Sequence, residues 1–130
     1  MRRAALLLSV LVAAGCNGGT VDRHALTNGA ATIDSLAFEG ALLAHDVSKG
    51  ASTTPFARVH SDALRAEASH LADALAERPT SPGIERKVRA ASKRSAAVAH
   101  MLSRLHHHPS DRVVAARAER ALKRIGKCPP

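Results

Sequence analysis

Aromatic side chains are almost missing from this chain, which has no Trp, no Tyr and only Phe38 and Phe56. Strands favour aromatic and β-branched residues, so an interior built mainly from alanine and leucine points to helices packed through small side chains. Cysteine is scarce too: Cys16 and Cys128 are the only two, which excludes a disulfide framework and any Cys-x-x-Cys motif. Eight glycines and six prolines in 130 residues are too few and too localised for a collagen-like or wholly disordered chain. Missing as well are a Gly-rich phosphate loop, His-Glu-x-x-His and Gly-x-Ser-x-Gly. No enzymatic activity is expected, and the length allows one domain.

The longest apolar run is Ala4 to Ala14, behind the basic start Met1-Arg2-Arg3. Its eleven residues fall short of the roughly 20 that span a bilayer. This is the pattern of an export signal. The run ends in Leu11-Val12-Ala13-Ala14-Gly15-Cys16, which resembles the lipobox of bacterial lipoproteins, although Ala13 stands where such signals most often carry leucine. The resemblance covers residues 1–16 alone. It implies cleavage before Cys16, a diacylglyceryl group on the Cys16 sulfur and tethering to an outward-facing membrane of the bacterial cell envelope. The alternative is a secreted chain cut near Ala14. Two or more acyl chains hold a protein almost permanently, since each buried methylene contributes about 0.8 kcal/mol. Residues 1–15 are thus read as signal peptide, 16–21 as lipidated cysteine and flexible tether, 22–126 as the bundle and 127–130 as a disordered tail. With Cys16 lipidated, Cys128 has no partner within the chain, leaving an exposed thiol or an intermolecular disulfide.

In the mature chain the apolar spacing is helical throughout. A first helix runs from about Asp22 to Lys49 with Leu26, Ile33, Leu36, Ala37, Leu43, Ala44 and Val47 on one face, and Gly50 stops it. Asn28-Gly29 and Gly40 lie inside, so its first turns are expected to fray or kink, with the well-formed part starting near Ala30. Thr54-Pro55 opens a second helix as N-cap and first helical residue, and Phe56, Val59, Ala63, Leu64, Leu71 and Leu75 are expected on its buried face. Ser81-Pro82 repeats the device for a third helix. There Ile84, Val88, Ala91, Ser95, Val98, Leu102 and Leu105 alternate by fours and threes, the period of a bundle seam. Ser110-Asp111 starts a shorter fourth helix with Val114, Ala118, Ala121, Leu122 and Ile125 on one side. Short connections make consecutive helices antiparallel, so the expected fold is an all-α, up-down four-helix bundle. A three-helix bundle with a loosely packed fourth helix is the alternative.

The net charge of +8 hides an asymmetry. Residues 16–82 carry five basic and eight acidic side chains, whereas residues 83–130 carry twelve basic and three acidic. A basic carboxyl half attracts anionic partners. Lys93, Arg94, Arg120 and Arg124 lie off the apolar stripes and are the candidates for an anionic surface; truncating Arg94 is expected to change stability little. The partner could be anionic lipid or envelope polymer beside the anchor. Nucleic acid is not expected, because an exported chain faces away from the cytoplasm and the basic half has no aromatic residue for stacking bases. A competing reading pairs the positive charge with the acidic first half across the bundle.

Eight histidines raise the question of metal. His106, His107 and His108 are consecutive and fan out by about 100° each on a helix, so they do not converge on one ion. Glu67-Ala68-Ser69-His70 is a Glu-x-x-His motif, which ferritin-like di-iron bundles use twice with further carboxylates. This chain has it once. His45, Glu67 and His70 are the best candidate ligands, with Glu39 as a further donor. The expected function is a non-enzymatic, lipid-anchored interaction or structural module without cofactor, acting with an unidentified protein partner or an anionic one. The alternative is a bundle that buffers or delivers a transition metal.

Overall fold

The structure, a computed structural model, describes residues 19–127. Four helices follow in order, α1 (Arg23–Lys49), α2 (Thr54–Glu77), α3 (Glu85–His107) and α4 (Arg112–Gly126). They form an antiparallel up-down four-helix bundle. Packing is closest between α2 and α3 and between α1 and α4; α1 also meets α2 and α3, while α2 and α4 do not touch. The fourth helix is not loosely attached, because Ala115, Ala118 and Leu122 are buried in the shared core. Val114, Ala121 and Ile125 flank them, half-buried.

Helix α1 is continuous from its first residue and does not start near Ala30. The Asp22 carboxylate accepts from the Ala25 N–H at 2.8 Å, satisfying one of the free donors of the first turn. Just before it, Val21 is fully buried and bridges to the α2–α3 connection, its N–H donating to Pro79 O at 2.7 Å and its carbonyl accepting from the Ser81 N–H at 3.0 Å. Gly40 has a packing reason that sequence period does not reveal. A Cβ there would lie 2.9 Å from Leu102 Cδ2 and 3.2 Å from Leu122 Cδ1, so its absence lets α3 and α4 reach α1 together. Gly50 ends the helix with φ 72°, in the left-handed region where glycine has no steric penalty.

The α3 seam is buried at every expected position from Ile84 to Leu105. Helix α2 buries only part of its expected face. Phe56 and Val59 are 57% and 71% exposed, and Ala63 also faces outward. Leu64 and Leu75 are buried as expected and Leu71 is half-buried, while Ala57, Ser61, Ala68 and Ala72 complete the buried face. Small residues win that face because they let α2 and α3 approach closely. The Ser95 hydroxyl reaches Ala68 O at 2.7 Å and the Ser92 hydroxyl reaches Ala72 O at 2.9 Å, contacts that larger side chains would prevent.

Two helix starts differ from their expected caps. Thr53, not Thr54, caps α2, with Pro55 one position further in. Ser81 does not cap α3: Pro82 and Gly83 (φ 89°) occupy the central positions of a turn, so helical geometry begins only after Ile84. The Glu85 carboxylate accepts the Gly83 N–H instead. Asp111 caps α4 as expected, accepting from Val113 and Val114 N–H at 2.9 and 3.0 Å.

These bonds, the Val114 N–H first, hold the Asp111 carboxyl below its ordinary pKa. A depressed pKa contributes stability above the unfolded carboxyl's pKa that is lost as pH falls through the folded one. Asp111→Ala should therefore lower the melting temperature at neutral pH, and the gap from wild type should shrink in acid. A gap of constant size down to strongly acid pH would contradict the cap's role.

Candidate anionic-surface interface

The basic residues of α3 and α4 divide by what their cations touch. Lys93, Arg120 and Arg124 are exposed, and no carboxylate lies within ion-pair distance of them among the described residues. Arg94 is different: its side chain is only 15% exposed and turns into the bundle. There its Nη2 donates to Asp34 Oδ1 on α1 and, at 3.1 Å, to Ile125 O near the end of α4. Arg94 therefore clamps three helices together and is not part of a free surface. Hydrogen bonds to charged groups contribute about 1.5–3 kcal/mol when shielded, and Asp34 is half-exposed, so Arg94→Ala should destabilise by about 1–3 kcal/mol. Thermal melts of Arg94→Ala and Lys93→Ala should separate clearly; equal, small shifts would contradict the clamp.

Pairing between the basic and acidic halves is almost absent. Among the described residues, only Arg94 of the basic half's lysines and arginines forms an ion pair with a carboxylate of the acidic half. Lys123 pairs within α4 to Glu119, which also accepts from His45 Nδ1 of α1 at 3.2 Å. Those two contacts, Lys123 first, hold the Glu119 carboxyl below its ordinary pKa against the opposing effect of burial. Two acidic residues of the first half pair within that half, Asp62 with Arg65 on α2 and Glu39 of α1 with His60 of α2 at 2.9 Å. Arg86, Lys87 and Arg89 crowd the first turns of α3, where the helix dipole disfavours positive charge and Glu85 is the only acid.

The candidate metal ligands are not brought together. His45 faces α4, whereas Glu67 and His70 are exposed on α2, which does not touch α4. Glu39 is engaged by His60. Among the described residues no group of three His, Cys, Asp or Glu side chains could hold a metal ion. In the histidine run the His106 and His107 rings meet edge to face, centroids 5.1 Å apart, but His106 also meets Arg58 O at 3.1 Å, and His107 and His108 are exposed at the end of α3.

Sequence period missed one feature. Phe38 and Leu42 lie off the buried stripe of α1, 67% and 51% exposed, and line a groove of about 560 Å³ between α1 and α4. Ala41 and Leu122 also line it, together with Lys123 and Lys127. The spacing of Phe38 and Leu42 by four residues was the available signal, because it places both on one outward strip.

Cys16 and Cys128, the candidate lipidation site and the second thiol, lie outside the described residues, as do the signal segment and residues 128–130 of the expected tail. No helix among the described residues is long and apolar enough to cross a membrane. No protein-family model matches the chain, and no curated protein or solved structure is significantly similar to it.

Proposed function

We propose that the protein is a lipid-anchored helical bundle of the bacterial cell envelope that acts without catalysis, as an interaction module presenting cations to an anionic partner. The observation that carries this reading is the set of cations on α3 and α4 without carboxylate partners among the described residues. For Arg86, Lys87 and Arg89, charge that neither pairs internally nor suits its helix terminus is better explained by a partner than by stability, whereas Arg124 in the last turn of α4 also complements that helix's dipole. Topology adds to the argument. The chain enters the bundle at Val21, beside Thr80, at the end where α3 begins and α4 finishes. Arg86, Lys87 and Arg89 at the start of α3 thus share that end with Arg124 and Lys127. Four residues lie between Cys16 and Val21, and the five steps reach at most about 18 Å, so a lipid on Cys16 would hold this basic end near the membrane surface.

The anchor is tested by Cys16→Ser, which cannot form the thioether. The variant should leave the membrane fraction or accumulate as an uncleaved precursor. Wild-type partitioning and migration would overturn the lipoprotein reading. The anionic partner is tested separately with protein beginning at Asn17, which should sediment with anionic vesicles and not with neutral ones.

A further inference from the structure

We propose that the α1–α4 face is a bilayer-insertion site, in which Phe38 and Leu42 enter the headgroup–acyl boundary of an anionic phospholipid bilayer while Lys127, Arg120 and Arg124 bind its phosphates. The inference rests on the anionic-partner reading above and names both the partner and the apolar residues that meet it.

Phe38 is one of only two aromatic residues in the chain, yet it is two-thirds exposed, with Leu42 one turn further along the same strip. Both line one groove with Lys123 and Lys127. Arg120 and Arg124 precede those lysines by three residues on α4 and are exposed, so apolar and cationic side chains form adjoining rows. Two carboxylates beside these rows are paired, Asp34 by Arg94 and Glu119 by Lys123 and His45, while Asp46, one turn beyond Leu42, is exposed without an ion-pair partner among the described residues and marks the end of the strip. Apolar residues beside a band of cations are the composition of surfaces that settle into an anionic membrane interface. A second copy of this chain fits poorly, because a symmetric contact would bring the α4 cations of both copies together. A soluble anionic polymer would satisfy the cations and leave Phe38 and Leu42 in water.

The chain has no tryptophan, so Phe38→Trp provides a single fluorescent reporter at the site. In protein beginning at Asn17, its emission should shift to the blue with anionic vesicles and stay unshifted with soluble polyphosphate. Phe38→Ser/Leu42→Ser, changed at exposed positions and checked for an unchanged fold by circular dichroism, should bind anionic vesicles about tenfold more weakly or worse. Vesicle binding without a blue shift, or with full affinity in the double-serine variant, would overturn the insertion site and leave the basic-surface reading intact. Absence of binding to anionic vesicles at low salt would overturn both.

Discussion

Leu102→Ala is expected to destabilise the bundle by about 2–5 kcal/mol, against a total of about 5–15 kcal/mol for a domain of this kind. Leu102 is fully buried in the α3 seam, and its Cδ2 fills the space left open by the missing Cβ of Gly40. Leu122 of α4 closes the same space from the other side. Truncation would leave a void where three helices meet. Closing it would require α1, α3 and α4 to shift together, which the clamp of Arg94 on Asp34 and Ile125 O opposes. Each kcal/mol displaces the melting point of a domain of about this size by roughly 4 °C or more, so the loss should exceed about 8 °C. Lys93→Ala, at an exposed position, should move it little. Equal effects from the two substitutions would mean that the three-helix junction is not packed as described.

Reversing Lys93, Arg120 and Arg124 to Glu should reduce affinity for an anionic surface by about a thousandfold or more. A basic residue close to such a surface contributes about 1 kcal/mol, and reversal both removes that attraction and adds repulsion of similar size. Three reversals therefore change binding by roughly 6 kcal/mol before screening and distance reduce it. All three side chains are exposed and without carboxylate partners among the described residues, so the fold should persist, as circular dichroism and thermal melting would show. Arg94 does not belong in this set, because changing it would confuse loss of charge with loss of the clamp. Retained affinity in a folded triple variant would return the basic residues to the role of a solvated surface.

How far the sequence specified this architecture differs from helix to helix. The α3 seam was legible at every position because its period is regular enough to carry even Ala91 and Ser95 onto the buried face. In α2 the same reasoning followed size and selected Phe56 and Val59, whereas close approach to α3 required the small side chains Ser61, Ala68 and Ala72. Hydropathy does not record how closely two backbones must pack, and the buried hydroxyl of Ser95 is polar in every scale yet satisfied by Ala68 O. Glycine misled for a related reason: Gly29 and Gly40 looked like weak points in α1 but are buried against neighbouring helices. At the candidate surface, sequence located the basic half and its exposed residues Lys93, Arg120 and Arg124. It could not separate them from Arg94, whose inward turn depends on Asp34 lying 60 residues away on another helix.

Salt dependence of vesicle association tests most directly whether the cations of α3 and α4 serve an anionic partner. With protein beginning at Asn17, association with anionic vesicles should be strong at low salt and fall steeply between 0.1 M and 1 M, as the Debye length contracts from about 10 Å to about 3 Å. Neutral vesicles should retain little protein throughout. Binding that is indifferent to salt, or equal on neutral and anionic vesicles, would contradict the account.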